Sequence, residues 1–210
     1  MIDENILLAR GAIYKKINKG GIIFNEGTKC YYYHQLIEGK VNWVNYDHDG
    51  RVFIQYIVLP GECFGELPLF DEEPYVATAV AETDTLLLQL PKNTFHELLK
   101  ERTSIANAFS RLLAQRVRQK FSALKTMASN TPEQQIVELF HLYKKKYPDI
   151  IYNETFKIDL TRQQIAEMTG LRVETVIRVI KKLEKKGGLY IDKGKVYLLN
   201  NDKNHIDIFG

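Results

Sequence analysis

The chain has 210 residues, of which 45% are hydrophobic and 26% charged, with a formal net charge of +3. That balance suits one or two globular domains with a real core, and the longest apolar runs are far too short to span a bilayer. The N-terminus, MIDENILLAR, has no basic n-region, apolar stretch or small-residue cleavage site, so a cytoplasmic protein without a membrane partner is expected.

The first ninety residues are punctuated by turn pairs: Gly20-Gly21, Glu26-Gly27, Glu38-Gly39, Asp49-Gly50 and Pro60-Gly61. Between and after them lie β-rich runs, GIIF, KVNWV, RVFIQYIVL, VATAV and TLLLQL. Short strands at such spacing, separated by glycine turns, indicate an antiparallel sandwich or roll. Asp49-Gly50, set between KVNWVNY and RVFIQYIV, predicts a hairpin.

Near Pro91 the period changes. Proline suits the first turn of a helix, and residues from Thr94 to about Met127 read as helical, in one piece or two. Phe109, Leu113, Val117, Phe121, Leu124 and Ala128 form an apolar seam along this stretch. A helix of about 25 residues reaches nearly 40 Å, longer than a small β-roll can cover. Pairing with a second copy through this helix is therefore expected. The same helix carries six cations and no acid between Arg102 and Lys125, read as a solvated face.

Ser129-Asn130-Thr131-Pro132 marks a boundary. Thr131 suits an N-cap and Pro132 a first helical turn, and Ile136, Val137, Leu139, Phe140 and Tyr143 follow with helical spacing. A loop containing Pro148 and a strand at FKIDL come next. Then Thr161 and Gln164 form a capping-box pattern, so a helix starts at Arg162. Ile165 and Met168 face inward, and Ala166 is small where another helix must cross. Gly170 permits the left-handed turn and Leu171 anchors it. A second helix buries Val176, Val179, Ile180 and Leu183, leaving Val173, Glu174, Ile177, Arg178 and Lys181 on or near its other face. This is a helix-turn-helix pattern. A closing hairpin, YIDKGKVYLL, turns at Lys193-Gly194 and makes it winged.

Charge follows the same division. Residues 1–130 balance at 15 Lys/Arg against 15 Asp/Glu, whereas residues 171–195 carry 8 against 3. A cationic excess on and after the second helix is the footprint of a phosphate-binding face. Glu174 accepts from a cytosine amino group and Arg178 donates twice to a guanine if the helix enters a major groove. The alternative is an intrahelical Glu–Arg pair on a solvated helix.

With these residues in view, TRQQIAEMTGLRVETVIRVIKKLEKKG resembles the helix-turn-helix of the Crp–Fnr superfamily of bacterial transcription regulators. CFGELPLF, residues 63–70, resembles part of that family's phosphate-binding cassette. The resemblance covers essentially the whole chain. It implies an α+β fold with an N-terminal antiparallel β-roll of the jelly-roll-like, double-stranded β-helix type. That roll and a dimerisation helix at about 100–128 would occupy residues 1–130, and a winged helix-turn-helix DNA-binding domain residues 131–210. It implies a homodimeric transcription regulator reading palindromic double-stranded DNA with a TGA-like half-site core. RNA polymerase would be a partner if the protein activates.

Site residues follow from the family's E-[ST]-[VI]-x-R pattern: Glu174 and Arg178 would read a G·C pair. Thr161, Arg162, Gln163 and Thr175 fall where relatives contact phosphates. Val173 precedes Glu174 as in Fnr-like members, and Lys193 tips the wing. Arg172 stands where the family usually has a capping Ser or Thr, losing a cap worth around 1 kcal/mol. Ile177 stands where relatives often have Ser or Gly.

The cassette keeps Gly65, Glu66 and Leu67, but departs from the cyclic-nucleotide pattern. Tyr75 replaces the arginine that would pair with the cyclic phosphate, and Val76 replaces the neighbouring hydroxyl. Lys120 and Phe121 align near the positions that meet adenine. The expectation is a degenerate pocket, no cyclic-AMP dependence, and an unidentified effector or none. No cofactor or metal is expected: the N-terminal cysteine cluster of oxygen sensors is absent, and the five histidines have no metal-ligand spacing. Cys30 and Cys63 read as small, partly buried apolar residues. No P-loop, GxGxxG, GxSxG or HExxH points to an enzyme. The competing reading is a small-molecule-sensing β-roll that signals through protein partners.

Overall fold

A computed structural model of the chain describes residues 2–129, 131–147, 151–152 and 155–199. The chain forms two compact units, Met1–Arg118 and Gln119–Gly210. They divide inside a long helix, whereas the sequence boundary at Thr131 coincides with the start of the next helix.

The first unit opens on α1 (Glu4–Ala9), a short helix capped by the Asp3 carboxylate, which accepts from the Asn5 and Ile6 amides. Eight strands follow: β1 (Ile13–Ile17), β2 (Ile22–Phe24), β3 (Tyr32–Glu38), β4 (Val41–Tyr46), β5 (Val52–Val58), β6 (Cys63–Phe64), β7 (Thr78–Ala81) and β8 (Thr85–Pro91). They pair antiparallel in two sheets, β1-β8-β3-β6 and β2-β7-β4-β5. The expected hairpin is present: β4 and β5 pair from Val41↔Val58 to Tyr46↔Val52 around Asp49-Gly50.

Two apolar clusters hold this unit. Leu36, Val41, Trp43, Val58, Phe64 and Leu87 come from both sheets and meet in one. Tyr33, Leu88 and Leu90 project from the other face of β3 and β8 into a second, with Leu7 of α1. β3 is thus buried on both faces. It carries no clean alternation, and like β1 and β6 it lies outside the β-rich runs marked by the sequence pattern.

Two helices follow the roll, α2 (Lys92–Glu101) and α3 (Thr103–Ser129), broken at Arg102, whose φ −124° and ψ 85° leave the helical region. Pro91 ends β8 and caps α2 instead of entering its first turn. Phe109 corrects the seam drawn from sequence. It is buried, its ring 5.2 Å from Phe95 and 6.0 Å from Tyr33, so it belongs to the roll's own core. A phenylalanine buried so completely contributes about 1.5–3 kcal/mol. Further along, Val117, Phe121 and Leu124 are 55%, 69% and 62% exposed. The apolar stripe therefore joins the roll's core at Phe109, is half-buried at Leu113 and is exposed at Val117, Phe121 and Leu124. The side chain of Ala128 lies outside the described residues.

The second unit contains α4 (Pro132–Lys146), β9 (Ile151–Tyr152), β10 (Thr155–Ile158), α5 (Arg162–Thr169), α6 (Val173–Lys185), β11 (Leu189–Asp192) and β12 (Lys195–Leu198). Thr131 and Gln134 cap α4 reciprocally. The four strands form one antiparallel sheet, β11-β12-β10-β9. Ile136, Phe140, Phe156, Ile165, Ile180 and Leu183 are buried in this unit. The loop expected at Pro148 lies outside the described residues.

Candidate nucleic-acid interface and effector pocket

The helix-turn-helix is built as its sequence dictates. The Thr161 hydroxyl accepts from the Gln164 amide at 3.1 Å, and the Gln164 side chain accepts from the Thr161 amide at 2.8 Å, starting α5 at Arg162. Gly170 ends α5 at φ 72°, a left-handed conformation that glycine adopts without a Cβ penalty. On α6, Val176, Val179, Ile180 and Leu183 are buried. Glu174, Ile177, Arg178 and Lys181 are exposed, while Val173 and Thr175 are half-buried. Arg172 precedes α6 as its N-cap and makes no side-chain capping bond.

Not all of the basic excess is available to a ligand. Lys182 and Lys186 both donate to Glu133 of α4 at 2.5 Å, which holds the Glu133 carboxyl below its usual range and ties the C-terminal end of α6 to α4. Lys195 reaches Asp159 at 3.4 Å. Among the described residues, no side-chain hydrogen bond or ion pair engages Arg172, Glu174, Arg178, Lys181, Lys185 or Lys193. Glu174 and Arg178 are therefore not the intrahelical pair that four-residue spacing permits. Of the expected phosphate contacts, Thr161 and Gln163 are exposed, and Gln163 donates to Glu167 at 2.7 Å. Arg162 is half-buried, and that burial pulls its guanidinium down, with Glu184 opposing. Lys193 sits at the β11–β12 turn with φ 45°.

The second candidate site is the cassette between β6 and β7. Gly65 turns at φ 66°, where an added Cβ would lie 2.6 Å from the Phe24 ring and 2.9 Å from Tyr75. Tyr75 is buried, stacked on Phe24 at 3.7 Å with planes 7° apart, and its hydroxyl donates to the Cys30 sulfur at 3.1 Å. Phe24, Trp43, Gly65, Leu67, Tyr75 and Val76 are among the residues lining a cavity of about 10 Å³, roughly the room one water needs. Cys30 and Cys63 are both free and buried.

Glu66 is fully buried, and one of its oxygens is held by Arg116 of α3. Arg116 also donates to the Cys63 carbonyl at 2.8 Å and lies 5.2 Å from the Trp43 ring centre and 5.1 Å from that of Tyr56. Burial pushes the Glu66 carboxyl up, and the Arg116 charge pulls it back only in part. The reading of the six cations from Arg102 to Lys125 as a solvated face is corrected here: Arg116 is drawn inward by a buried carboxylate fifty positions earlier in the chain. No local pattern marks that partnership. Lys120 and Phe121 lie on the second unit's part of α3 and are exposed.

Comparison with known proteins gives this arrangement a context. Residues 14–102 match the family model of the cyclic nucleotide-binding domain, and residues 134–203 match that of the Crp-like helix-turn-helix domain. The chain is 30% identical over 177 residues to the transcriptional regulator SdrP of Thermus thermophilus, covering 80% of this chain and 79% of that protein. This chain belongs to the Crp–Fnr family of transcription regulators.

Other members agree. A CRP-like cAMP-activated global transcriptional regulator of Mycobacterium tuberculosis is 25% identical over 186 residues, 88% of this chain and 83% of that one. A solved CRP/FNR-family regulator of Thermus thermophilus superposes with a TM-score of 0.67 at 26% identity, covering 90% of this chain and 95% of the other. The c-di-GMP-responsive regulator CLP of Xanthomonas campestris shares the fold with a TM-score of 0.78 at 19% identity, covering 94% of this chain and all of that one. As a Crp–Fnr member the chain is a DNA-binding transcription regulator with an α+β fold. No helix among the described residues is long and apolar enough to cross a membrane.

Proposed function

We propose that this Crp–Fnr regulator acts as a cytoplasmic homodimer that reads an inverted repeat with a TGA-like half-site core, without needing cyclic AMP. The observation that carries the base-reading role is the exposure of Glu174 and Arg178 on one face of α6, with no partner among the described residues. Charged side chains held unpaired on a recognition helix are available to base edges. Thr161, Arg162, Gln163, Arg172, Val173, Thr175 and Lys193 frame them from the helix ends and the wing. Dimerisation is supported by Val117, Phe121 and Leu124, three large apolar side chains left in water along one stripe of α3. Two copies of α6 would then enter successive major grooves about 34 Å apart. RNA polymerase is a further partner if the regulator activates.

Independence from cyclic AMP is supported by what fills the cassette. Tyr75 occupies the place of a phosphate-binding guanidinium and closes on Phe24, leaving room for about one water. Relatives are described by different ligands, cAMP for one and c-di-GMP for another, so the pocket of each chain decides its effector.

Selection of binding sites from a random duplex pool tests the reading, run with purified protein alone and again with cyclic AMP. The expected result is the same inverted repeat in both. Enrichment only with cyclic AMP overturns ligand independence. If neither enriches a site, the same selection with a cell extract added separates the two causes: a repeat that then appears assigns a different effector, and continued absence overturns base reading. On the selected site, Glu174→Ala and Arg178→Ala should each cost about 1–3 kcal/mol of binding and relax preference at one base pair. Uniform weakening on all sequences would instead show that they do not read bases.

A further inference from the structure

We propose that Ile177 reads a thymine 5-methyl group in the major groove, adding an apolar element to the half-site beside the pair contacted by Glu174 and Arg178. The inference rests on the base-reading role of α6 argued above. It begins with the burial pattern of that helix. Val176, Ile180 and Leu183 are fully buried and Val179 is 8% exposed, so the core takes these four. Ile177 is 39% exposed, the largest aliphatic side chain that α6 leaves in water.

Its neighbours define what covers it. At about 100° per residue, Ile177 lies roughly 60° around the helix from Glu174 and 40° from Lys181. One turn before it stands a free carboxylate and one turn after it a free cation, with Arg178 adjacent. A protein partner is a poor match, because the centres of protein interfaces are depleted in Lys and Glu. The DNA major groove matches both needs: phosphates and base edges for the charges, and one apolar group, the thymine methyl, for the isoleucine. A hydroxyl at this position could donate or accept a hydrogen bond. Isoleucine can do neither, so its contribution is limited to shape and apolar contact.

The test starts from the site that the wild-type protein selects. Each thymine is replaced singly by uracil, which removes only the methyl group. One symmetry-related thymine position should lose about three- to fivefold in affinity, the worth of one methyl-sized apolar contact. With Ile177→Ala or Ile177→Ser that uracil penalty should vanish, while the G·C preference tied to Arg178 is retained. A second measurement replaces the same thymine with cytosine and then with 5-methylcytosine, and the added methyl should recover part of the loss in the wild type alone. An equal uracil penalty in wild type and Ile177→Ala, or none at any thymine, overturns the proposal. Failure of base reading itself looks different, since no site is then enriched and Arg178→Ala changes no preference.

Discussion

Replacing Arg116 with alanine should destabilise the β-roll unit by about 3–5 kcal/mol, because it strands a buried carboxylate. Glu66 has no exposed surface, and Arg116 is 14% exposed. The guanidinium is held on four sides, by Glu66, the Cys63 carbonyl, and the faces of Trp43 and Tyr56. Removing it leaves the carboxylate with no compensating charge in a low-dielectric site, where an ion is most costly. The pair itself need not be a net stabiliser, since burial pushes the Glu66 carboxyl up despite its partner. Glu66→Leu combined with Arg116→Met should therefore restore stability to within about 1 kcal/mol of the wild type. Trp43 is the only tryptophan and sits in this unit, so its fluorescence during urea unfolding reports on the roll alone. A loss below about 1 kcal/mol for Arg116→Ala would mean that water reaches Glu66 and solvates it.

The β-roll should also lose stability in mild acid through His34. This imidazole is buried among Phe24, Phe64 and Tyr32, with Nε2 3.0 Å from the Gln89 amide nitrogen. Burial pulls its pKa down to about 3, with Lys15 adding a smaller repulsion. An unfolded histidine titrates near 6.5. Between about pH 6.5 and 3, the unfolded chain takes up a proton that the folded chain refuses, so stability falls as pH falls through that window. Each unit costs about 1.4 kcal/mol, or about 2 kcal/mol by pH 5. Carboxylates titrate in the same range, so the informative quantity is the difference from His34→Gln, which carries no charge at any pH. Wild type and variant should diverge from each other below pH 6.5. Parallel pH dependences would show that His34 becomes protonated within the fold.

Much of the architecture was legible because it is written locally. The N-cap at Thr131, the capping box at Thr161, the left-handed glycine at Gly170 and the Asp49-Gly50 hairpin each need only neighbouring residues, and each is present in the structure. The burial pattern of α6 followed from a 3.6-residue period. Strand β3 was missed because both of its faces are buried, which erases alternation. Phe109 was misplaced for a related reason. A stripe at helical spacing shows that a helix has an apolar face, but not which neighbour covers each turn of it.

The sequence by itself determined the succession of β-roll, long helix and helix-turn-helix, and the presence of Tyr75 and Val76 in the cassette, because chain direction, periodicity and residue type are local properties. Only the tertiary structure decided where the charges go. It brought Arg116 to Glu66 across fifty residues, committed Lys182 and Lys186 to Glu133, and left Glu174 and Arg178 without partners among the described residues. Ion pairing depends on distance and burial. Residues far apart in the chain acquire both only when strands and helices pack, so no spacing rule in the sequence could have assigned those partners.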